Sequence, residues 1–114
     1  MRNDGAKGHL DLLLLSVLSR GSGHGYAVIS ALRDDSGGSL DLAEGTVYPA
    51  LHRLEAEGLL SSEWEPSGGR RRRVYRLTAA GTTALAARRE DWRSLAGAVE
   101  AVLTAARPAS ARFA

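Results

Sequence analysis

The stretch Ser67-Gly68-Gly69-Arg70-Arg71-Arg72-Arg73-Val74-Tyr75-Arg76-Leu77-Thr78 sets two glycines ahead of four consecutive arginines and a short run of β-forming residues. Adjacent glycines favour a chain reversal because they tolerate positive φ. The pattern predicts two antiparallel strands, residues 59–65 and 71–77, joined by a glycine-containing tip at residues 66–69.

The segment ahead of this hairpin, Gly45-Thr46-Val47-Tyr48-Pro49-Ala50-Leu51-His52-Arg53-Leu54-Glu55, predicts a helix that starts near Glu44 or Thr46 and ends at Gly58. We expect Thr46 to cap it and Pro49 to lie in its first turn, where a missing N–H costs little. Its inward face is expected to carry Val47, Leu51 and Leu54.

Two more helices are predicted nearer the N terminus, over residues 9–20 and 24–35, because leucines and other apolar residues recur there at helical spacing. The first has an apolar stripe wider than one face, which suggests contacts both with the core and with a partner chain. Residues 40–43 are expected to form a short strand. The second helix is expected to face inward through Tyr26, Ile29 and Leu32.

Thr78 is expected to cap a final helix over residues 79–105, which would be about 40 Å long at 1.5 Å per residue. This helix is longer than the domain it leaves and carries an apolar stripe, which a second copy of the chain would bury most simply. We therefore predict a homodimer. Its predicted contacts are Leu13, Leu14, Leu85, Trp92, Leu95, Val99, Val102 and Leu103.

A helix followed by a basic hairpin is typical of a winged helix-turn-helix. We predict a mainly α fold with a small β-hairpin: a DNA-binding domain over residues 9–78, a dimerisation helix over 79–106, and flexible tails at 1–8 and 107–114. The helix before the hairpin would enter the major groove of double-stranded DNA, and the hairpin would lie along the phosphates. A dimer would read a pseudo-palindrome with half-sites about 34 Å apart.

The predicted DNA contacts fall on two elements. In the recognition helix they are Thr46, Tyr48, Pro49, His52 and Arg53, and in the wing they are Arg70, Arg71, Arg72 and Arg76. Side chains alternate across a strand, so Arg73 shares the face of Tyr75 and is expected to form a structural ion pair instead.

Composition narrows the function classes. The net charge of +2 is modest, but five arginines fall between residues 70 and 76, so the positive charge is local. There is no cysteine, and His9, His24 and His52 lie far apart, so we expect neither a metal site nor a cofactor. No nucleophile–base pair points to an enzyme. No apolar run approaches the ~20 residues of a membrane span, and no secretory signal is visible, which leaves the cytoplasm as the expected location.

Several separated motifs resemble those of the PadR family of transcriptional regulators. They are His24-Gly25-Tyr26, the segment from Gly45 to Glu55, Glu57-Gly58-Leu59-Leu60 with Trp64, Gly69-Arg70-Arg71-Arg72, and Tyr75-Arg76-Leu77-Thr78-Ala79-Ala80-Gly81. The resemblance covers about residues 9–105. It implies a homodimer joined through the last helix and helix 1, and repression of nearby genes that a small molecule relieves.

The chain is similar to compact members of that family with one terminal helix. In some of these a tryptophan of the last helix sandwiches planar ligands, and Trp92 occupies the matching place. The resemblance thus implies a planar aromatic effector bound by Trp92, Leu95 and Ala96, although residues 93–98 carry no acidic group for a cationic drug. From the residues alone, the simpler interpretation is that Trp92 packs in the dimer interface, and ligand stacking is the alternative.

A second function class is a module that binds a partner protein through its winged domain and long helix, without direct DNA contact. Acidic residues on the outer face of the third helix would favour this alternative. Glu55 and Glu57 lie at the C-terminal end of that helix, away from the predicted groove contacts.

Overall fold

The computed structural model describes residues 9–106 and Pro108, so the predicted tails at 1–8 and 107–114 lie outside the described residues except for Pro108. Within the described part, the elements run in the order α1 (Leu10–Leu18), β1 (Gly23–His24), α2 (Gly25–Asp35), α3 (Glu44–Ala56), β2 (Leu60–Ser67), β3 (Arg70–Leu77) and α4 (Ala79–Leu103). None of these described helices is long and apolar enough to cross a membrane.

The three described strands form one antiparallel sheet in the order β1-β3-β2. β1 lies along the free edge of β3, with Gly23 opposite Tyr75 and His24 opposite Val74. The strand expected at residues 40–43 is wrong, since that segment is irregular. The edge of β3 is instead paired by the link between α1 and α2.

The hairpin is tighter than predicted. Pairing of β2 with β3 continues to Ser67 opposite Arg70, which leaves only Gly68 and Gly69 in the turn. Both glycines have positive φ, 58° and 81°. A two-residue turn of this kind follows the twist of its strands, so the ladder runs to the tip.

The third helix begins earlier than its expected cap. The amides of Thr46 and Val47 donate to the carbonyl of Ala43, 3.0 and 3.1 Å away, so the first turn forms ahead of Thr46. The predicted N-cap role of Thr46 is therefore wrong, and Pro49 lies inside the helix rather than in its first turn. The missing Pro49 N–H leaves the exposed Gly45 carbonyl without its helical donor.

The core consists of aliphatic side chains from every helix and from β2, together with the aromatic side chain of Tyr75 from β3. Its buried residues are Leu10, Leu14, Leu15, Leu18, Val28, Ile29, Leu32, Val47, Ala50, Leu51, Leu54, Leu60, Tyr75 and Leu85. Tyr26 was expected to face inward, but 60% of it is exposed, while Val28 is buried in its place. Two predicted dimer contacts, Leu14 and Leu85, are 0% and 3% exposed. They have no surface to offer a second copy, and that assignment is revised.

The start of α4 is fixed to the corner between α3 and β2. The Thr78 hydroxyl oxygen accepts from the Gly81 amide at 3.0 Å, as predicted for a cap, and the hydroxyl donates to the Gly58 carbonyl at 2.7 Å. A Cβ on Gly81 would lie 2.1 Å from the Leu59 carbonyl oxygen, so only glycine permits this approach. Toward its C-terminal end the helix exposes the apolar residues Trp92, Leu95, Val99, Val102 and Leu103.

Candidate nucleic-acid interface

An open cleft of about 360 Å³ separates the hairpin from the N-terminal parts of α2 and α3. Hydrogen-bonding, aromatic and cationic side chains line it, and aliphatic ones do not. The lining residues are His24, Gly25, Tyr26, Tyr48, His52, Trp64, Arg70, Arg71, Arg72, Arg73 and Tyr75. The fold thus brings two predicted helix contacts, Tyr48 and His52, to the same surface as the first three arginines of the wing.

The position of the Tyr48 ring depends on Gly25. A Cβ on Gly25 would lie 2.4 Å from Cε1 and Cζ of the Tyr48 ring, so the ring packs on the bare backbone at the start of α2. His24 caps this helix, because its Nδ1 accepts from the Ala27 amide at 3.3 Å. The sequence His24-Gly25-Tyr26 therefore builds one wall of the cleft.

The other predicted helix contacts are placed differently. His52 is exposed, and its ring centroid lies 6.5 Å from that of Tyr75 at the floor of the cleft. Pro49 is exposed and Thr46 half-buried, and both lie on α3 outside the lining of the cleft.

Arg53 was predicted to contact DNA, but it is engaged elsewhere. Its guanidinium donates to Asp11 at 2.5 and 3.1 Å and to Glu57 at 3.1 Å. The hydrogen bond to Asp11 raises the Arg53 pKa above its ordinary value. A doubly bonded guanidinium would have to break a bidentate pair to reach a phosphate, so we assign Arg53 a structural role.

Asp11 links three helices. It accepts from Arg53 on α3 and from Arg88 on α4, the latter at 2.9 Å. Partial burial pushes the Asp11 pKa upward, but the hydrogen bonds from Arg53 and Arg88 outweigh it, so the pKa lies below its ordinary value. The carboxylate therefore stays charged and fixes α3 against α1 and α4.

The two faces of the hairpin differ in charge. Trp64 lies directly opposite Arg73 on the neighbouring strand, and the guanidinium carbons of Arg71 and Arg73 lie 5.4 and 5.2 Å from its ring. Strand alternation puts Arg76 on the other face, where it approaches Glu63 at 4.0 Å and Glu65 at 3.8 Å. The predicted phosphate contact by Arg76 is therefore revised, because Arg76 lies within ion-pair distance of two glutamates and does not line the cleft.

The remaining wing arginines divide into anchored and free groups. Arg73 donates to Ser62 at 2.7 Å and lies 3.7 Å from Glu55 of α3, which confirms the predicted ion pair. Arg72 contacts Nε2 of His24 at 2.9 Å. Across the described part of the chain, Arg70 and Arg71 form no ion pair, so both exposed guanidinium groups are available to phosphates.

Sequence reasoning missed Tyr26 and Trp64 as members of this surface. Tyr26 projects at the rim, and its hydrogen bond to Glu44 raises the pKa of its hydroxyl. The signal for Trp64 was available, because the strand alternation that set Arg73 apart also puts Trp64 beside it. Tyr26 carried no such signal, since its orientation depends on where α2 begins.

A second cavity of about 320 Å³ lies beside Trp92, between α1 and α4. It is lined by His9, Asp11, Leu12, Arg53, Arg88, Asp91, Trp92 and Leu95. Trp92 is 43% exposed and meets the edge of the His9 ring with centroids 4.8 Å apart. Ala96, predicted as a ligand contact, does not line the cavity. Within the described residues, no group of three metal-binding side chains occurs.

A recognition helix, a two-glycine wing and an arginine-lined cleft between them define a winged helix-turn-helix protein. The chain belongs to the transcriptional regulator PadR-like family, whose pattern matches residues 14–87. Regulators of this family bind DNA.

Relatives agree with this assignment. Transcriptional regulator Rv3488 of Mycobacterium tuberculosis is 57% identical over 54 residues, which are 47% of this chain and 48%, about half, of that protein. A PadR family regulator from Eggerthella lenta has a crystal structure that is 35% identical, with a TM-score of 0.79, and the match covers 89% of this chain and 87% of that one. A transcriptional regulator from Clostridium thermocellum is 28% identical with a TM-score of 0.79, covering 86% and 96%.

Proposed function

We propose that this chain is a homodimeric, sequence-specific DNA-binding repressor that acts in the cytoplasm and is released from its operator by a small-molecule effector. The observation that carries the proposal is the cleft, where Tyr48 and His52 of α3 and the free arginines Arg70 and Arg71 of the wing share one surface. A duplex lying there would meet α3 in its major groove and the wing along its phosphates.

The charges around α3 favour DNA over a protein partner. Glu55 accepts from Ser62 at 2.6 Å and lies beside Arg73, and Glu57 is paired with Arg53. Both carboxylates are thus compensated at the end of the helix away from the cleft. The surface facing a ligand is left with uncompensated arginines, which suits a polyanion.

The dimer interface would form along the exposed stripe of α4. Trp92, Leu95 and Val99 are 43–50% exposed, and Val102 and Leu103 more than 70%. An apolar stripe of this length on a helix that leaves its domain is stabilised by a second copy. Leu12 lies beside Trp92 and Leu95 and extends the stripe onto α1, whereas Leu13 lines a different groove with Leu32 and Leu40.

The effector would occupy the cavity beside Trp92. The half-exposed indole offers a stacking face, and Asp11 and Asp91 line the same space. Asp91 supplies an acidic group that residues 93–98 lack, whereas Asp11 is already paired with Arg53 and Arg88. Because Arg53 of the recognition helix lines the cavity too, a ligand there could act directly on the position of α3.

DNA footprinting tests the proposal. Purified protein is incubated with the DNA that flanks its own gene, and protection is compared with that on a random fragment of equal length. We expect a protected pseudo-palindrome with two half-sites about one helical turn apart. Equal affinity for the random fragment, or retention of a protein partner without DNA, would refute the proposal and favour the interaction-module alternative.

Fluorescence tests the effector site separately. In a Trp64→Phe variant, Trp92 is the remaining tryptophan of the two in the chain. Planar aromatic compounds that enter the cavity should quench the emission of Trp92. Over the same concentration range they should lower the affinity of the protein for the protected DNA fragment. Quenching without any change in DNA binding would refute regulation through this cavity.

A further inference from the structure

The strongest unassigned feature of the DNA-facing surface is the arrangement of Trp64 between two arginines. Trp64 is 53% exposed on a strand that lines the cleft, a position where folding alone would accept a smaller or polar side chain. Its ring lies within 5.4 Å of both guanidinium carbons, those of Arg71 and Arg73. Both distances are within the range of a cation–π contact.

The two arginines have unequal freedom. Arg73 is tied to Ser62 at 2.7 Å and to Glu55 of α3 at 3.7 Å. Within the described residues, Arg71 has no ion pair, and the Trp64 ring is the contact that orients it. A connected series thus runs from the recognition helix through Glu55, Arg73 and Trp64 to Arg71.

We propose that Trp64 is a positioning residue for DNA binding: its indole, which also contacts the anchored Arg73, holds the Arg71 guanidinium in the orientation that receives a phosphate. The inference rests on the proposed function. An arginine side chain has many rotamers, and one that is already stacked loses less freedom when it binds. The gain therefore appears in DNA affinity and hardly in folding stability, since the ring is half exposed.

A double-mutant cycle tests this proposal. Binding to the protected DNA fragment is measured for Trp64→Leu, Arg71→Ala and the double variant, with Arg70→Ala in place of Arg71→Ala as the matched control. Arg70 is on the same wing but does not contact the indole. We expect Trp64→Leu to weaken binding about five- to tenfold, with Trp64→Phe in between because a phenyl ring keeps a π face.

The cycle separates positioning from a general structural role. In the Arg71→Ala background, Trp64→Leu should cost less than about twofold, whereas in the Arg70→Ala background it should keep its full effect. An equal loss in both backgrounds, or no loss in the wild-type background, would overturn the proposal. If the wild-type protein binds no DNA fragment preferentially, the proposed function is wrong. If it does bind one but the cycle shows no coupling, only the role of Trp64 is wrong.

A second comparison leaves Trp64 in place, so it holds even if Trp64→Leu does not fold. Arg71→Lys keeps the charge but replaces the planar group that stacks on the ring, and Arg70→Lys makes the same change away from it. We expect Arg71→Lys to weaken binding several-fold more than Arg70→Lys at equal salt. Equal effects of the two substitutions would contradict the role of Trp64.

Discussion

At the residue scale, the cleft depends on a few close contacts that set where side chains point. Tyr48 lies over Gly25 at the start of α2, and Asp11 holds two arginines from two other helices. The first contact places the Tyr48 ring in the cleft. The second engages Arg53 and fixes α3 in the domain.

Gly25→Ala should weaken DNA binding with little loss of stability. The added Cβ would meet the outer ring atoms of Tyr48 at 2.4 Å, and this flexible side chain can swing into solvent at small cost. We expect the free energy of unfolding to fall by less than about 1 kcal/mol, while DNA affinity falls about tenfold. Denaturant unfolding and fluorescence anisotropy measure the two quantities.

Gly23→Ala is the matched control, because its Cβ would make only an ordinary contact with Ala27 at 3.7 Å. It should leave DNA affinity within about twofold of wild type. Equal affinities for the Gly25→Ala and Gly23→Ala variants would argue against a role of Tyr48 in the cleft.

Asp11→Asn should make the protein less stable at neutral pH by about 1–2 kcal/mol, since Arg53 and Arg88 lose a charged acceptor. The Asp11 pKa is lowered in the folded state, so its contribution is present above its ordinary value of 3.8 and is lost as the pH falls through the lower folded value. The difference between the variant and wild type should therefore shrink below about pH 4.

Denaturant unfolding from pH 7 to pH 3 measures this difference. Asp35→Asn serves as control, because its pair with Arg20 is half exposed and should contribute at most about 0.5 kcal/mol. A destabilisation by Asp11→Asn that stays constant down to pH 3 would contradict the ion-pair account.

At the element scale, the shape of the wing and two contacts at the start of α4 determine how the elements are arranged. The hairpin is a strict two-residue turn, and β1 seals the free edge of β3. The Thr78 cap and the close approach of Gly81 to Leu59 fix the direction in which α4 leaves the domain. That direction decides where a second recognition helix would lie in a dimer.

Gly81→Ala should destabilise the protein by about 1–3 kcal/mol, because the Cβ meets a backbone carbonyl that has no room to move. Gly97→Ala changes the same residue type in the same helix where nothing lies within 4 Å. It should stabilise by about 0.5–1 kcal/mol through helix propensity. Thermal or denaturant unfolding compares them, and a neutral effect of Gly81→Ala would refute the tight junction.

The sequence predicted the helices, the hairpin and the cap by Thr78, because apolar spacing, paired glycines and a threonine before a helix are local signals. It did not predict β1, and it left the start of α3 open between Glu44 and Thr46. Gly23 and His24 form a strand because β3, about 50 residues further along the chain, offers an open edge. The helix starts at Glu44, and Ala43 precedes it without a side-chain cap.

For the candidate site too, the sequence predicted what local signals determine and missed what depends on residues distant in sequence. The ion pair predicted for Arg73 is present, although Arg71 shares the strand parity of Arg73 and lies with it against Trp64. Arg53 was misassigned because its partner, Asp11, lies 42 residues away in sequence. Arg76 was misassigned because its neighbours Glu63 and Glu65 lie on the other strand of the hairpin, and their approach depends on the register of the two strands.

At the scale of the whole molecule, the principal extents are 69 × 31 × 20 Å. The 25 residues of α4 make a helix about 38 Å long at 1.5 Å per residue. Because α4 carries an exposed apolar stripe, we expect two copies of the chain to associate through this helix. The two wings and recognition helices of such a dimer would then act together on one duplex.

Val99→Glu should prevent dimer formation, because it sets a charge in the middle of the stripe where it would be buried without a partner. Ala101→Glu sits on the opposite face of α4, where a charge stays in solvent, and it should leave the dimer intact. Sedimentation analysis distinguishes the two. A monomeric wild type, or an intact Val99→Glu dimer, would rule out this interface.

The salt dependence of DNA binding shows whether the wing arginines of the cleft contact phosphates. The slope of log K against log salt counts released phosphate counterions. Arg71→Gln should reduce the slope by about one for each phosphate that the variant no longer neutralises, and Arg76→Gln, on the glutamate face, should leave it unchanged. Equal slopes for Arg71→Gln and wild type, or a reduced slope for Arg76→Gln, would contradict a duplex held between α3 and this face of the wing.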